Sequence, residues 1–443
     1  MTPEGRPAPC RPCASSADAG RGPRIGLWLI GAKGGVAATT LVGLRALQLD
    51  DPACFDPGDP RDSAGPVGLI SAAEPFARLA LPRWSDFVAG GHDIRAVPLV
   101  EEAARLVSDS RTVSPDLFER CRPWLADVER RLRPGTVLNA GAVIEAMADG
   151  DVPRDESPRE AIDRLRADLE AFARTERLEH VIVVNVASTE PPLADRWPPS
   201  WEALRKQLES RRDCGLPAST LGAIAAAESG CSYINFTPSL GPALPAVDEL
   251  FRLRGSRYYG CDGKTGETLL KSVLAPMLAA RRLRVMSWVG HNIFGNRDAE
   301  VLADPANKQA KIASKDHLIR DILGYAPQTH VSIERVDSLG DWKTAWDHVH
   351  FRGFLGVPMV MQFIWQGCDS ILAAPLVLDL ARFCEAARRR GHVGTMPFLA
   401  CFFKSPYGVS EQRFDRQVQW LERWAAEGAD TSGAAGDPAA VGR

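Results

Sequence analysis

The segment that most constrains the fold lies near the amino terminus, where a short apolar run meets a glycine-rich turn. Residues 24–30 have the composition of a buried strand, residues 31–40 read GAKGGVAATT, and a helical pattern continues to about Leu49. Strand, glycine turn and helix in this order open the βαβ unit of nucleotide-binding folds. The order predicts an α/β protein with a doubly wound, Rossmann-like sheet.

The glycine turn allows two ligand-binding interpretations. In the first, a dinucleotide pyrophosphate meets the turn and the helix amino terminus, held by Gly31, Gly34, Gly35, Val36 and Ala37. In the second, KGGVAATT is a variant of the KGGVGKTT phosphate loop of partitioning-type ATPases. Ala37 and Ala38 stand where Gly-Lys is required, so the lysine for the β- and γ-phosphates is missing and an ATPase is disfavoured. A tight turn that binds nothing stays possible.

Composition limits the class of protein. At 443 residues the chain is large enough for two domains, and its net charge of −3 gives no field that favours nucleic acid. Its apolar runs are too short to span a membrane, and its first residues lack the apolar core of a secretory signal. Ten scattered Cys favour a cytoplasmic protein with reduced thiols, and no His/Cys spacing predicts a metal site.

Periodicity predicts further elements along the chain. Strands are expected at residues 67–73, 181–186, 232–236, 284–288 and 330–335, with mostly helix over 101–170 and again at 221–229. Helices and a short apolar run at 396–403 are expected after residue 341, with disordered tails at 1–22 and 426–443.

Lysine is scarce, and its distribution suggests a site. The 53 basic residues comprise 9 Lys and 44 Arg. An ammonium is a compact charge whose pKa falls readily on burial, so retained lysines favour phosphate binding or proton and oxyanion chemistry. Seven lie between positions 264 and 404: Lys264, Lys271, Lys308, Lys311, Lys315, Lys343 and Lys404.

Polar motifs recur in the second half of the chain, at predicted turns where α/β proteins bind ligands. They are GCDGKTGET (260–268), NIFGNRD (292–298), KIASK (311–315), LGDWK (339–343), DSILAAP (369–375) and FFKSP (402–406). Each has a structural interpretation as well: Asp369 suits a helix start, and Lys311 with Lys315 suits a solvated helix face. Together they predict one shared site.

In this order the motifs resemble the myo-inositol-1-phosphate synthase family, from about residue 25 to 407. DFVAGGHDI (86–94), ASTE (187–190) and INFTP (234–238) are similar to the family's NAD-domain motifs. The resemblance implies an NAD-binding domain over 23–250 plus 345–425. It also implies an inserted α+β catalytic and tetramerisation domain over 251–344, and a homotetramer, which the residues alone do not predict.

The resemblance also implies a set of site residues. Those expected to bind NAD, besides the glycine turn, are Asp93, Ala187, Ser188, Thr189, Thr237, Asp262, Lys264, Thr265, Asn296, Arg297 and Asp298. Those expected to bind substrate or act in catalysis are Lys311, Lys315, Lys343, Lys404, Asp369 and Asp341. A plain dinucleotide fold instead suggests Glu74, after the predicted strand at 67–73, as the ribose-binding acid.

The chemistry implied by the resemblance is an NAD-dependent cyclisation of a hexose 6-phosphate, in first place D-glucose 6-phosphate to myo-inositol 1-phosphate. Oxidation at C5, enolisation at C6, closure onto C1 and re-reduction each develop negative charge on oxygen, which ammonium groups stabilise. Three alternatives stay open: fructose 6-phosphate closing to a five-membered ring, a simple dehydrogenase, and an inactive NAD-binding scaffold.

Four positions depart from the family pattern. Cys261 replaces an acid, Arg297 replaces a usual Asn, Ile293 replaces a usual His, and Phe236 replaces a Gly that meets the cofactor. The matched lysines are all retained, and Arg297 and Ile293 are the first candidates for a changed substrate.

Overall fold

A computed structural model describes residues 23–55, 65–192, 197–210, 214–296 and 318–432. The strands are β1 (Ile25–Ile30), β2 (Phe87–Asp93), β3 (Leu132–Pro134), β4 (His180–Asn185), β5 (Ser232–Asn235), β6 (Arg257–Gly260), β7 (Arg284–Phe294), β8 (Gln328–Arg335), β9 (Trp342–Arg352), β10 (Pro358–Cys368) and β11 (Gly394–Thr395). The helices named below are α1 (Gly35–Gln48), α2 (Leu99–Ser108), α3 (Pro115–Glu129), α4 (Ala142–Ala146), α5 (Pro158–Thr175), α6 (Trp201–Ser210), α7 (Ala218–Glu228), α8 (Pro245–Leu253), α9 (Gly266–Ala280), α10 (Asp369–Arg389) and α11 (Phe414–Ser432).

Seven of these strands form a parallel sheet in the order β11-β6-β5-β4-β1-β2-β3. The chain starts in the middle of this sheet and builds outward in both directions, so the carboxyl ends of β1 and β4 flank the point where the strand order reverses. Such switch points are where doubly wound folds bind ligands. The predicted fold class is confirmed, and β1 is buried almost throughout, as a two-sided parallel sheet requires.

Helices cover both faces of the parallel sheet. One core packs α1, α2, α3 and α10 on one face, and a second core packs α5, α6, α7 and α8 on the other. Leu44 of α1 and Leu380 of α10 are fully buried, and each contributes about 1.5–3 kcal/mol through removal from water. Because α1 and α10 pack side by side, their amino termini are brought to the same edge of the sheet.

A second sheet of four strands follows the order β10-β9-β7-β8. Strand β9 is antiparallel to β7 and β10, whereas β7 and β8 are parallel. Helix α9 packs against one face, where the Lys271 ammonium lies between the carboxylates of Glu267 and Asp347 in full burial. This sheet brings the 292–296 and 339–343 motifs to the edge of the parallel sheet.

Several sequence predictions of local structure are wrong. Residues 67–73 contain a 3₁₀ turn (Ile70–Ala72), because the buried carboxylate of Asp379 accepts the backbone N–H groups of Ile70 and Ser71 (2.9 and 3.1 Å) that a sheet would use. The second strand of the sheet is β2 instead, starting at Phe87. Helix α11 extends to Ser432, into the predicted tail that starts at 426.

The second sheet is also larger than expected. Residues 342–368 form β9 and β10 rather than helices, and their pairing places residues 345–368 in the second sheet instead of the dinucleotide domain. Strand β6, expected in the insertion, pairs with β5 in the parallel sheet. The alternating exposure of β9 and β10 is the two-residue period of strands with one covered face. Among the described residues no helix is long and apolar enough to cross a bilayer.

Candidate active site

A cavity of about 470 Å³ opens at the carboxyl edge of the parallel sheet and reaches the second sheet. It brings together most of the residues proposed from sequence. Those that line it are Gly31, Gly34, Gly35, Val36, Asp93, Ala187, Ser188, Thr189, Thr237, Asp262, Thr265, Asn296, Asp341, Lys343, Asp369 and Lys404. Lys311, Lys315, Arg297 and Asp298 lie outside the described residues.

The glycine turn forms a close-fitting wall of this cavity. Gly31 has φ +83°, and a Cβ there would lie 2.8 Å from the backbone of Ala187. A Cβ on Gly35 would lie 2.9 Å from Ser370 Oγ, at the start of α10. Side chains at these two positions would therefore clash with Ala187 and Ser370, so the turn packs this closely only with glycine. Ala37 does not line the cavity, because its side chain packs inside the core.

Four helices begin at the cavity, and their amino termini carry partial positive charge. Gly35 starts α1, Ser219 lies in the first turn of α7, Thr265 caps α9 and Asp369 starts α10. Carboxylates meet two of these starts: Glu190 Oε1 accepts the Ser219 N–H (2.8 Å), and an Asp341 oxygen accepts an N–H of α10. The first turn of α1 has no acidic residue and faces the cavity, which suits a pyrophosphate.

Asp93 occupies the position of a ribose-binding acid. It ends β2, and its carboxylate accepts the N–H groups of Lys33 (2.6 Å) and Arg95 (2.9 Å), which fixes it beside the glycine turn. Glu74 does not follow a strand; it pairs with Arg78 at the surface and does not line the cavity. The sequence suggests Glu74 as the ribose-binding acid only because it predicts a strand at 67–73, whereas the second strand of the sheet is β2, which ends at Asp93.

An apolar branch of the cavity lies beyond Asp93. Ile94, Ala140, Ile144 and Met147 line it, together with Thr136. The side chains come from the segments after β2 and β3, on the far side of the ribose position from the glycine turn. A flat heteroaromatic ring such as adenine suits this place, since apolar walls gain from its burial.

Lys404 and Asp262 form the central ion pair of the site. Residues 261–264 run antiparallel to residues 402–405, and the Lys404 N–H donates to the Asp262 carbonyl (2.7 Å). The Lys404 Nζ lies 2.8 Å from Asp262 Oδ1, with both side chains buried. Asp262 adopts φ +61°, a left-handed conformation that Asp tolerates better than most residues. The backbone ladder therefore fixes the charge pair.

Lys264, proposed as a cofactor ligand, lies behind this ladder rather than in the cavity. Its backbone N–H donates to the Phe402 carbonyl, and its Nζ donates to Gln417 Oε1 on α11. Burial lowers the pKa of its ammonium to about 8. The structure does not bring the Lys264 side chain into the cavity, because its ammonium is directed to α11, where it donates to Gln417.

Asp341 joins the second sheet to the start of α10. Its Oδ1 accepts from Asn296 Nδ2 (2.9 Å), and its Oδ2 accepts the Ser370 N–H (3.1 Å). Two residues on, Lys343 Nζ lies 3.5 Å from Asp369 Oδ2 and 5.1 Å from the centre of the Phe294 ring. A second ammonium is thereby held in the same cavity as Lys404.

Glu190 and Ser219 are cavity residues that the sequence did not single out as a pair. Glu190 is buried, and its carboxyl group accepts from both the backbone N–H and the hydroxyl of Ser219. Burial raises its pKa to about 7. The only sequence signal was its place beside Thr189 in the ASTE motif. Burial raises the pKa of the Cys261 thiol to about 12, which disfavours the reactive thiolate.

The residues present fit a dinucleotide. The glycine turn, the amino terminus of α1 without a side-chain cap, Asp93 and the apolar branch line one cavity. Pyrophosphate, ribose and adenine would thus follow one another along the cavity. The far end, with Lys343 and Lys404, is left for a polar, anionic substrate.

Comparison with known proteins agrees with this geometry. The model of the myo-inositol-1-phosphate synthase family, an NAD-binding family, matches residues 71–425. Inositol-3-phosphate synthase 1 of Bacteroides thetaiotaomicron is 31% identical over 427 residues, covering 90% of this chain and 93% of that protein.

Solved structures share the fold. Inositol-3-phosphate synthase from Caenorhabditis elegans superposes with a TM-score of 0.79 at 24% identity, over 92% of this chain and 86% of that one. A myo-inositol-1-phosphate synthase-related protein from Thermotoga maritima gives 0.72 at 24% identity, over 91% and 98%. The chain belongs to the myo-inositol-1-phosphate synthase family and is an NAD-dependent cyclase of the isomerase class.

Proposed function

We propose that this cyclase converts D-glucose 6-phosphate to myo-inositol 1-phosphate without net oxidation. The observation that carries the proposal is the presence of two ammonium–carboxylate pairs, Lys404–Asp262 and Lys343–Asp369, in the same cavity as the dinucleotide turn. Bound NAD would supply a hydride acceptor at C5 of the open-chain sugar and return the hydride after ring closure. The protein's own residues must then manage protons and charge.

Lys404 is proposed to act at the C5 oxygen. The Asp262 carboxylate, 2.8 Å from the Lys404 Nζ, directs the ammonium in a buried setting. A charged donor there stabilises the oxygen as it gains negative charge during enolisation, because few water molecules screen it. Catalysis through positioned charge of this kind needs no metal ligand from the protein.

Lys343 is proposed to polarise the C1 carbonyl that the C6 carbon attacks. Asp369 orients its ammonium, and Asp341 keeps the start of α10, and hence Asp369, in place. Lys315 is proposed to bind the substrate phosphate, and Lys311 to share the proton transfers at C5. Both of these lysines lie outside the described residues, so their roles rest on the motif resemblance.

We also propose a homotetramer assembled through the second sheet. The face of this sheet opposite α9 leaves Ile364 70% and Val360 52% exposed, and the β9–β10 connection leaves Phe354 87% exposed. Apolar surface concentrated on one sheet favours burial against another copy. Size-exclusion chromatography with light scattering tests this: a tetramer mass supports the proposal, and a monomer at micromolar concentration contradicts it.

Product identification tests the proposed reaction. Purified protein is incubated with NAD⁺ and ¹³C-labelled glucose 6-phosphate or fructose 6-phosphate, and products are identified by NMR. An inositol phosphate from glucose 6-phosphate is expected. A five-membered cyclitol phosphate from fructose 6-phosphate, which the similarity to inositol-3-phosphate synthases does not favour, would overturn the substrate assignment.

A further inference from the structure

We infer that Trp342 is a positioning residue. It links the end of α2, which we call the cofactor wall of the cavity, to the start of β9, where Asp341 and Lys343 flank it. Its indole N–H donates a hydrogen bond to the backbone carbonyl of Ser110, just beyond the end of α2 (2.9 Å). Because Trp342 begins β9 of the second sheet, this bond joins two parts of the protein that are 232 positions apart in sequence. The inference rests on the proposed function, since it assigns Lys343 to the substrate.

The acceptor side of this bond belongs to the cofactor wall. Arg105, Leu106, Asp109 and Ser110, around the end of α2, line the cavity. Ser110 is held in place there, because its N–H donates to the Arg105 carbonyl (3.2 Å) and its hydroxyl donates to the Leu106 carbonyl (3.2 Å). The Ser110 carbonyl is therefore a fixed anchor.

The donor side belongs to the catalytic wall. Successive residues of a strand point in opposite directions, so Lys343, which follows Trp342 in β9, points away from the indole, and Asp341 lies in the turn just before the strand. With the indole directed to α2, Asp341 faces Asn296 and α10, and Lys343 faces Asp369, both at the cavity. Fixing the indole therefore fixes the direction of Asp341 and Lys343.

Packing alone does not explain the placement of this ring. Trp342 is 41% exposed, so much of its apolar surface gains nothing from burial. Its N–H, in contrast, has a well-placed partner. Loss of one such hydrogen bond changes an equilibrium about fivefold, which sets the size of the expected effect.

The effect is expected on cofactor affinity rather than on turnover. Without the bond, a smaller fraction of molecules holds the α2 wall and the 339–343 segment together before NAD binds. The apparent affinity for NAD falls in proportion to the fraction that does. Once bound, the cofactor lies between the two walls and replaces the missing link. Trp342→Phe, which keeps a ring and removes the N–H, should raise the Kd and KM for NAD⁺ about fivefold and change kcat less than twofold.

Isothermal titration with NAD⁺ and product-formation kinetics on Trp342→Phe test this, with Trp420→Phe on α11 as the matched control. The control should match the unaltered protein. An NAD⁺ Kd within twofold of the unaltered protein, or a lower kcat with unchanged KM, would overturn the inference and leave a structural role. Titration needs no turnover, so an unaltered protein that binds NAD⁺ but forms no inositol phosphate would refute the proposed function alone.

Hydrogen exchange gives a second readout, and its first comparison needs only the unaltered protein. In the unaltered protein, NAD⁺ should slow exchange at the amides of Asp109 and Ser110 and at those of Trp342 and Lys343 together. Trp342→Phe should accelerate exchange at Asp109 and Ser110 only without NAD⁺. Protection of one wall without the other in the unaltered protein would contradict a link between them.

Discussion

Lys404 and Asp262 are joined twice, by an ion pair of 2.8 Å between their side chains and by a backbone hydrogen bond of 2.7 Å. The backbone bond fixes their separation whatever the state of the substrate. A charge pair held in this way needs little reorganisation when negative charge develops nearby, which is the condition for strong electrostatic catalysis.

Lys404→Met should abolish cyclisation. Loss of a single positioned charge of this kind costs about 10²–10³ in kcat, while the NAD⁺ Kd should change only severalfold, since the turn and Asp93 are untouched. Product formation and titration check both. Lys206→Met, at an exposed lysine on α6, is the matched control and should leave both values unchanged. Turnover by Lys404→Met above a tenth of the control would remove Lys404 from the mechanism.

Substitution of Lys343 should lower kcat more than substitution of Asp369, because Lys343 is proposed to contact the reacting carbonyl and Asp369 only orients Lys343. Lys343→Met should lower kcat by about 10²–10³, because the carbonyl loses its polarising charge. Asp369→Asn keeps the lysine and loses only its orientation, so about tenfold is expected. Steady-state kinetics at saturating NAD⁺ measure both. A larger loss in Asp369→Asn than in Lys343→Met would show that Asp369 itself performs chemistry.

Asp93→Ala should weaken NAD⁺ binding. The substitution removes the acceptor of two backbone N–H groups as well as the proposed ribose contact, and hydrogen bonds to a carboxylate of this kind correspond to about 10–100-fold in Kd. Titration with NAD⁺ measures it, with Glu74→Ala as control. Equal affinities for the Asp93→Ala and unaltered proteins, or a larger loss in Glu74→Ala, would show that the cofactor takes another path.

Gly31→Ala should destabilise the fold. The residue would have to adopt φ +83° with its Cβ 2.8 Å from the Ala187 backbone, and such strain costs about 1–3 kcal/mol. Denaturant unfolding measures the free energy. Gly150→Ala is the control, because a Cβ there would meet nothing within 4 Å. Equal unfolding free energies for the two variants would mean that the turn relaxes without strain.

Glu190 should make stability fall as pH rises. Burial raises the pKa of its carboxyl to about 7 from 4.5, so the folded protein binds a proton that the unfolded chain has released between these values. The contribution of the protonated Glu190 carboxyl to the free energy of unfolding is complete below pH 4.5 and is lost as pH rises through 7. It is on the order of 3 kcal/mol at most. Glu190→Gln should therefore gain stability relative to the unaltered protein from pH 5 to 8, measured by denaturant unfolding. A constant difference over this range would show that Glu190 is ionised throughout.

Parts of this site could be predicted from sequence for clear physical reasons. The glycine turn and the strand before it form a local pattern, so the bounds of β1 and the end of α1 are predicted within one residue. The motif resemblance predicts Asp93 as a site residue, and the structure places it in the cavity, although the sequence predicts the second strand at 67–73 instead of at β2. Residue type and motif order carry this information without any knowledge of the packing.

Other parts depend on contacts between distant segments. Glu190 meets Ser219 only because α7 packs against β5, the strand next to β4. Lys264 turns away from the cavity because Gln417 of α11 accepts from its ammonium behind the ladder. The sequence predicts helices over the 342–368 hairpin, because the partner of β9 outside the hairpin, β7, lies about 50 to 70 residues earlier. Periodicity within a short window does not report such long-range partners.

Hydride should leave C5 of the substrate and return to the same carbon. Incubation of [5-²H]glucose 6-phosphate with catalytic NAD⁺ measures this. Product mass spectrometry and absorbance at 340 nm are followed together. We expect a myo-inositol phosphate that retains deuterium at the carbon derived from C5, with no accumulation of reduced cofactor. Reduction of the whole cofactor pool to the deuterated form, with an equal amount of uncyclised 5-keto-glucose 6-phosphate, would contradict it and identify a simple dehydrogenase.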